Sequence, residues 1–284
     1  MKNTLPLILL LLLIACKQST NPESENDQSN GDNPQTENSE QDLNQDEVDI
    51  DTVALKRVSL ADSNILVPAM EAESPVHRHR VDVLLANSED DAFNRLVNDN
   101  IYGNDNPAED GDYEAYYRRI VGEVQDASID ESDMEFVEES PHGFNMEFDE
   151  SSEALLNRDG YLTMSYHYYK YTGGAHGNFF TSYFNFSRDP AKRLQFADIF
   201  GESATEEAIV ELLKTEIEPE TLEYLEGELP ITQNFALTDE GVNFLYNIYE
   251  ILPYAAGMTE VLLPFGLLQE KGLLSDEVNE MVGD

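Results

Sequence analysis

The 284-residue chain contains one cysteine, Cys16, so no disulfide can form within it. Any fold that this sequence adopts must therefore be stabilised by a hydrophobic core rather than by covalent crosslinks. Residues 52–284 are long enough to bury such a core, either as one large domain or as two small ones.

An apolar segment precedes Cys16 at the N-terminus. Lys2 supplies positive charge, and the residues from Leu5 to Ile14 are apolar, with one proline at Pro6. A transmembrane helix needs about 20 apolar residues, so this shorter segment is typical of the core of a secretory signal peptide.

The sequence LIAC at positions 13–16 resembles the lipobox of bacterial lipoproteins, whose cysteine receives diacylglycerol. We therefore predict a lipoprotein signal peptide at residues 1–16, which ends at the lipidated Cys16. The protein is then expected outside the cytoplasm, held on a bacterial membrane by its acyl chains, either facing the periplasm or at the cell surface. The alternative is an ordinary secretory signal with an incidental cysteine.

The segment after Cys16 is polar and acidic. Residues 17–51 hold eleven acidic residues and one lysine, and their only large aliphatic residues are Leu43, Val48 and Ile50. Such a segment cannot bury enough apolar surface to offset the entropy of ordering it. We predict that residues 17–51 form a disordered acidic linker, extended by self-repulsion.

The rest of the chain is also strongly acidic. The whole chain carries a net charge of −42, and residues 52–284 keep −33 once the −10 of the linker and the +1 of Lys2 are removed. This charge repels nucleic acid and attracts cationic proteins, cationic peptides or divalent metals. We expect no nucleic-acid partner. The alternative is that the acidity only keeps the protein soluble.

The hydrophobic pattern of residues 52–284 lacks the regular alternation of strand and helix that a parallel doubly wound sheet requires. It predicts an α+β fold with largely antiparallel sheets and about three packing helices. A strand at residues 81–85 leads to the first helix, with Ser88 as its N-cap. The other helices are predicted from Tyr113 to Val124, and at residues 203–217 with a capping box of Ser203 and Glu206.

Strands dominate between Phe144 and Phe196, where an antiparallel meander is indicated by turn signals at residues 157–160, 173–174 and 188–190. The remaining pattern predicts a hairpin at residues 238–241, a strand at residues 260–263 and a short C-terminal helix or turn. We predict two α+β subdomains, at residues 52–187 and 188–284.

Two blocks of sequence carry a resemblance to a known family. The first, within residues 169–201, has a tyrosine, a Gly-Gly-Ala-His turn and an Asp-Ile-Phe ending, at Tyr171, Gly173, Gly174, Ala175, His176, Asp198, Ile199 and Phe200. The second, within residues 234–265, has matching residues at Asn234, Phe235, Glu240, Gly241, Tyr249, Glu250, Pro253, Tyr254, Ala255, Pro264 and Phe265. Together they resemble the paired extracytoplasmic domains of unknown function in the anti-sigma factor RsiV and the peptidoglycan deacetylase PdaC.

This resemblance implies an α+β fold for roughly residues 52–284. It also implies a binding role at the cell envelope, because the corresponding region of the anti-sigma factor binds lysozyme. It does not imply deacetylation, because that activity belongs to a separate catalytic domain of the deacetylase. We therefore expect no enzymatic activity and no cofactor.

In the strand predicted before the glycine turn, successive side chains point to opposite faces, so its aromatic residues are divided between the two faces. Tyr166 and Tyr168 share one face, while His167, Tyr169 and Tyr171 share the other. We expect one face in the core and the other at a binding surface, for which the candidate residues are Tyr169, Tyr171 and His176. His176 has a structural alternative, in which its ring nitrogens hydrogen-bond the tight turn and the glycines supply positive φ angles.

No residue pattern indicates metal or catalytic chemistry strongly. His77 and His79 have the i, i+2 spacing that places two imidazoles on one face of a strand, but the adjacent arginines would repel a cation and we identify no nearby acid. A cluster of four acids could hold Ca²⁺ together with backbone carbonyls, namely Asp105, Glu109, Asp110 and Asp112. A solvated acidic loop is the better explanation of this cluster. We predict no metal site and no catalytic residues.

The sequence therefore favours a non-catalytic lipoprotein of the cell envelope with a binding module. Its expected partner is a lysozyme-like cationic protein, or fragments of peptidoglycan. Two alternatives remain open: a structural or assembly lipoprotein with no dedicated ligand, and a hydrolase with an unrecognised site.

We predict that Cys16→Ser releases the protein from membranes or leaves its signal peptide uncleaved, because the thioether is the anchor that this sequence suggests. Membrane fractionation and metabolic acyl labelling measure this directly. Unchanged fractionation together with normal acyl labelling would show that Cys16 is not the lipid attachment site.

Overall fold

The computed structural model describes residues 52–103, 111–225 and 227–283, which belong to one compact unit. The predicted signal peptide, the predicted lipidation site Cys16 and the predicted linker at residues 17–51 lie outside the described residues. In the described part of the chain, no helix is long and apolar enough to cross a membrane. The predicted α+β fold is confirmed.

Six strands form the first sheet, ordered as in the sequence: β1 (Leu55–Ile65), β2 (Val76–Ala86), β3 (Met146–Arg158), β4 (Tyr161–Tyr171), β5 (Asn178–Arg188) and β6 (Ala191–Arg193). Neighbouring strands are antiparallel except β2 and β3, which are parallel. A parallel pair needs a long crossover, and residues 87–145 provide it. Strands β3 to β6 form the predicted meander.

Three antiparallel strands form the second sheet: β7 (Phe235–Leu237), β8 (Gly241–Tyr246) and β9 (Thr259–Pro264). The turn between β7 and β8 is the predicted hairpin. The predicted boundary between subdomains, after residue 187, stays a prediction. The first sheet continues past that point to β6.

The described residues contain eight α-helices: α1 (Asp91–Tyr102), α2 (Tyr113–Gly122), α3 (Met134–Glu139), α4 (Phe196–Ile199), α5 (Glu206–Glu216), α6 (Pro219–Tyr224), α7 (Phe265–Glu270) and α8 (Asp276–Gly283). The three predicted helices correspond to α1, α2 and α5. Helix α2 is shorter than predicted, because residues 123–126 continue it as a 3₁₀ turn.

Two predicted helix caps are wrong by two residues. Helix α1 is capped by Asp90, which accepts hydrogen bonds from two amides of the first turn, while Ser88 bonds instead to Asn94. Helix α5 is capped by Thr205, while the hydroxyl of Ser203 donates to a carbonyl in the loop between α7 and α8. In both places a second capping residue follows closely, and the earlier serine has another partner.

Two large hydrophobic clusters and one small one, made of Tyr183, Ala236 and Leu245, stabilise the described part of the unit. The first lies between the first sheet and helices α1 and α2, and its most deeply buried residues include Val83, Phe93, Val97, Leu162, Met164 and Phe186. The second joins the second sheet to α5, α7 and α8, and includes Ile209, Leu213, Phe244, Leu263, Leu268 and Val278. Full burial of one such side chain contributes about 1.5–3 kcal/mol.

Asparagine side chains bind the outer edge of β5. The Thr181 amide donates to Asn247 Oδ1 at 2.8 Å, and the Thr181 carbonyl accepts from Asn234 Nδ2 at 2.8 Å and Asn247 Nδ2 at 3.0 Å. The Tyr183 amide donates to Asn234 Oδ1 at 2.8 Å. These side chains satisfy backbone groups that no neighbouring strand of the first sheet pairs.

Asn185 makes the reciprocal connection from β5 to β7. Its Nδ2 donates to the Phe235 carbonyl at 2.8 Å, and its Oδ1 accepts from the Leu237 amide at 2.7 Å and from Thr163 Oγ1 at 3.0 Å. The side chain is only 3% exposed. Side-chain amides thus take the place of a backbone ladder between the two sheets.

We predict that Asn185→Ala destabilises the protein by about 2–4 kcal/mol, because it leaves buried backbone groups of β7 without partners. The control is Asn243→Ala on β8, whose amide bonds an exposed Glu260 and should cost less than about 1 kcal/mol. Urea unfolding of the two variants measures the difference. Equal losses would contradict the role assigned to Asn185.

Candidate functional site

The candidate binding residues lie where β4, β5 and the turn after β8 come together. Tyr169 and Tyr171 lie at the end of β4, and His176 lies in the turn that leads to β5. Tyr254 begins a 3₁₀ turn between β8 and β9. We call this surface the aromatic patch, formed by Tyr169, Tyr171, His176, Phe179, Tyr249 and Tyr254.

The centre of the aromatic patch is a stacked pair of rings. His176 lies on Tyr254 with ring centroids 3.9 Å apart and an interplanar angle of 23°. Both side chains donate to the Gly177 carbonyl at 2.9 Å, His176 through Nδ1 and Tyr254 through its hydroxyl. His176 therefore has the structural role that the sequence offered as an alternative. It is also exposed, so part of its ring remains accessible.

The glycine turn beside His176 needs its glycines. Gly173 and Gly174 have φ angles of +85° and +99°, which side chains rarely adopt, so the predicted positive φ is confirmed. A Cβ on Gly173 would also lie 2.1 Å from the Gly143 carbonyl oxygen. The hydroxyl of Tyr171 donates to the Gly174 carbonyl at 3.0 Å, so Tyr171 holds the turn as well as lying in the patch.

Tyr169 packs closely against the same turn. A Cβ placed on Gly177 would lie 2.4 Å from the Tyr169 ring, so any larger residue here would force this ring to move. Burial and the nearby Glu147 carboxylate raise the pKa of Tyr169. The phenol therefore stays neutral and can donate a hydrogen bond at physiological pH.

Tyr249 is part of the aromatic patch, although the sequence analysis did not select it as a site residue. Its ring is 60% exposed and lies 5.8 Å from the Tyr254 ring. Its φ angle is +67°, which is unusual for a bulky residue, and its amide donates to the Leu252 carbonyl at 3.1 Å. No sequence pattern shows that this turn adopts a left-handed conformation.

The two sequence blocks meet in this patch, since His176 belongs to the first block and Tyr254 to the second. Residues 78–179 match the family described as Deacetylase PdaC, and residues 197–266 match DUF3298, a family of unknown function. The predicted resemblance is confirmed. The PdaC-like region supplies Tyr169, Tyr171, His176 and Phe179 to the patch, and the DUF3298 region supplies Tyr249 and Tyr254.

Two crystal structures share the fold of this chain. A DUF3298 family member from Bacteroides fragilis has 22% identity and a TM-score of 0.63, over 81% of this chain and 96% of that one. A DUF3298 family protein from Pseudomonas aeruginosa has 18% identity and a TM-score of 0.54, over 80% of this chain and 96% of that one. No curated protein matches the chain. At these identities the likeness concerns the fold alone.

The histidines of β2 have acidic neighbours that the sequence analysis missed. The parallel pairing of β2 with β3 places His79 Nε2 3.2 Å from Glu150 and Arg78 2.7 Å from Glu147, and it also pairs Arg80 with Asp149. The statement that no acid lies nearby is therefore wrong, because these acids are distant in sequence. Within the described residues, no group of three or more His, Cys, Asp and Glu side chains is arranged to hold a metal ion.

Of the four acids considered for Ca²⁺, only Asp112 is among the described residues. Its side chain accepts from the Ala115 amide at 2.9 Å and caps α2. Asp105, Glu109 and Asp110 lie outside the part of the chain that the structure describes.

We predict that Gly177→Ala disrupts the aromatic patch and costs about 1–3 kcal/mol, because the new methyl group would overlap the Tyr169 ring. Gly143→Ala is the control, because its Cβ would meet only the Ser140 hydroxyl at an ordinary 3.6 Å. Thermal unfolding and the NMR signals of the tyrosine rings measure both effects. A Gly177→Ala variant with native stability and native Tyr169 signals would contradict this packing.

Proposed function

We propose that this chain is a non-catalytic lipoprotein of the bacterial cell envelope, anchored through Cys16, whose α+β unit binds a cationic protein at the aromatic patch. Lysozyme is the first candidate partner because of the resemblance to the lysozyme-binding region of the anti-sigma factor. The observation that carries the proposal is the partly exposed aromatic patch, built jointly by the PdaC-like and DUF3298 regions on a strongly acidic protein.

The arrangement of charge supports a cationic partner. Most basic side chains of the described residues are already paired with acids within 4.0 Å, namely Lys56, Arg57, Arg78, Arg80, Arg118, Arg119, Arg158, Lys192, Lys214 and Lys271. The excess acids include seven within residues 124–139, a segment without Lys or Arg. The resulting negative field attracts cationic proteins and raises their rate of encounter with this protein.

The chemistry of the aromatic patch supports short-range recognition. Tyrosine and other aromatic side chains are enriched in the energetically dominant parts of protein interfaces. Tyrosine faces also attract the guanidinium and ammonium groups of a basic partner. The hydrogen bonds from His176 and Tyr254 to Gly177 hold these two rings in place before a partner binds, which lowers the conformational entropy lost on binding.

We predict that Tyr249→Ala raises the dissociation rate of lysozyme by about fivefold or more and changes the association rate little. Tyr224→Ala is the matched control, because this tyrosine on α6 is 76% exposed and lies outside the patch. Binding kinetics near 0.15 M salt, where the Debye length is about 8 Å, isolate the short-range contribution.

Replacing Glu220 and Glu223 on α6 by glutamine should have the opposite effect, lowering the association rate more than it raises the dissociation rate. An unrelated basic protein of similar charge should bind less well than lysozyme. Equal binding to every basic protein, lost with added salt, would refute specific recognition and favour the structural-lipoprotein alternative.

A further inference from the structure

A second aromatic surface lies on the opposite face of β4, inside a cavity between the first sheet and helices α1 and α2. The cavity has a volume of about 410 Å³, and its wall is mainly aromatic, with Tyr102, Tyr116, Tyr117, Tyr166, Tyr168 and Phe180. This volume lies in the range of small-ligand sites, which is about 300–1,000 Å³. The residues of β4 that line it alternate with those of the aromatic patch, so the two surfaces are separate.

Glu150 lies in this cavity and is only 8% exposed. Among the described residues, no other Asp or Glu is buried to this degree. Its carboxylate accepts hydrogen bonds from Tyr166 at 2.6 Å, from Tyr117 at 3.3 Å and from His79 Nε2 at 3.2 Å. A carboxylate can accept about four hydrogen bonds, so one position remains for a ligand.

Glu150 has no permanently charged partner among the ion pairs of the described residues. Its partner there is His79, which carries a charge only when protonated, and no Lys or Arg is paired with it. Burial and the Glu150 charge raise the pKa of both Tyr117 and Tyr166, so these phenols stay neutral and donate hydrogen bonds without supplying a positive charge. A buried carboxylate without a full counter-ion is unfavourable, and a bound cation relieves that cost.

The aromatic wall suits the same kind of ligand, because ring faces carry negative electrostatic potential. Two rings that line the cavity already have cations near them. Arg119 lies 5.4 Å from the Tyr116 centroid, and the Lys170 ammonium lies 5.5 Å from the Phe148 centroid. Anionic ligands are repelled by the Glu150 carboxylate, and neutral ligands add no counter-charge to it.

We propose that this cavity binds an alkylammonium group, with Glu150 as its counter-ion and the surrounding tyrosine rings and Phe180 as its wall. The group belongs either to a small amine or to a lysine side chain of a peptide. This inference does not rest on the proposed function, because it concerns the other face of β4 and a different set of residues.

The test measures binding to the purified full chain by NMR titration and calorimetry. The probes are n-butylammonium, the peptide acetyl-Gly-Lys-Gly-amide, n-butanol as the neutral control, and N-acetylglucosamine as a neutral sugar. We expect an ammonium probe to bind and to shift the signals of Tyr166 and Tyr168, with affinity at least tenfold above that of n-butanol. Preference for n-butylammonium indicates a small amine as ligand, and preference for the peptide indicates a lysine side chain.

Glu150→Gln should lower the affinity for the ammonium probe by about tenfold or more, because it keeps the shape and removes the charge. Glu153→Gln is the matched control on β3; it removes one exposed charge, and the affinity should change less than about twofold. Phe180→Ala is a second variant that should remain folded, because this ring is 40% exposed, and it should weaken binding about three- to tenfold.

Three results would overturn the proposal. The first is that neither ammonium probe binds, or that n-butanol or N-acetylglucosamine binds as tightly as the ammonium probe. The second is that Glu150→Gln, shown to be folded by its NMR spectrum, binds the ammonium probe as well as Glu153→Gln does. The third is that Phe180→Ala binds the ammonium probe with unchanged affinity. This result decides the question if Glu150→Gln does not fold.

Discussion

The side-chain amides of Asn185, Asn234 and Asn247 are the contacts on which the arrangement of the two sheets depends. Buried backbone groups must be hydrogen-bonded, and a strand edge normally satisfies this requirement by pairing with another strand. Here β7 contacts β3, β4 and β5, so it crosses the face of the first sheet and does not extend its edge. The side-chain amide of asparagine both donates and accepts hydrogen bonds, so it can pair with the backbone groups of two strands that do not lie side by side.

The same contacts position the aromatic patch. Asn247 binds the Thr181 backbone through its side chain. Its backbone amide donates to the Glu250 carboxylate at 2.8 Å, and its backbone carbonyl accepts from the Glu250 backbone amide at 3.1 Å. These bonds begin the turn that carries Tyr249 and Tyr254. The DUF3298 region is thereby attached to β5 a few residues after His176, and the stacking of Tyr254 on His176 follows from this attachment.

Local patterns predicted much of the fold correctly, because they depend on neighbouring residues. The meander, the hairpin and three helices follow from alternation, turn residues and helical periodicity. The alternation of β4 also predicted that Tyr166 and Tyr169 lie on different faces. Strand β1 was missed because its alternating pattern is weak, with Val58 as its only buried residue. The parallel pairing of β2 with β3 was missed because it joins segments about 70 residues apart.

The candidate site was only partly predictable for the same reason. Tyr169, Tyr171 and His176 lie in one local segment, whereas Tyr249 and Tyr254 join them only through long-range contacts. Glu150 gave no signal, because the sequence contains 58 acidic residues and nothing local distinguishes a buried one. Its burial arises where β2, β3, β4 and α2 supply side chains from distant parts of the chain.

The acidic residues of this protein therefore act in two different electrostatic settings. Exposed acids are screened by water and salt, so their effect is a diffuse field that changes rates of encounter more than final affinity. Glu150 lies in a cavity where water and ions screen less, so its interaction with a cation is stronger and depends on the exact position of that cation. The net charge of −42 thus indicates the strength of the diffuse field. The local interaction of Glu150 depends instead on the fold, which buries this carboxylate among tyrosine rings.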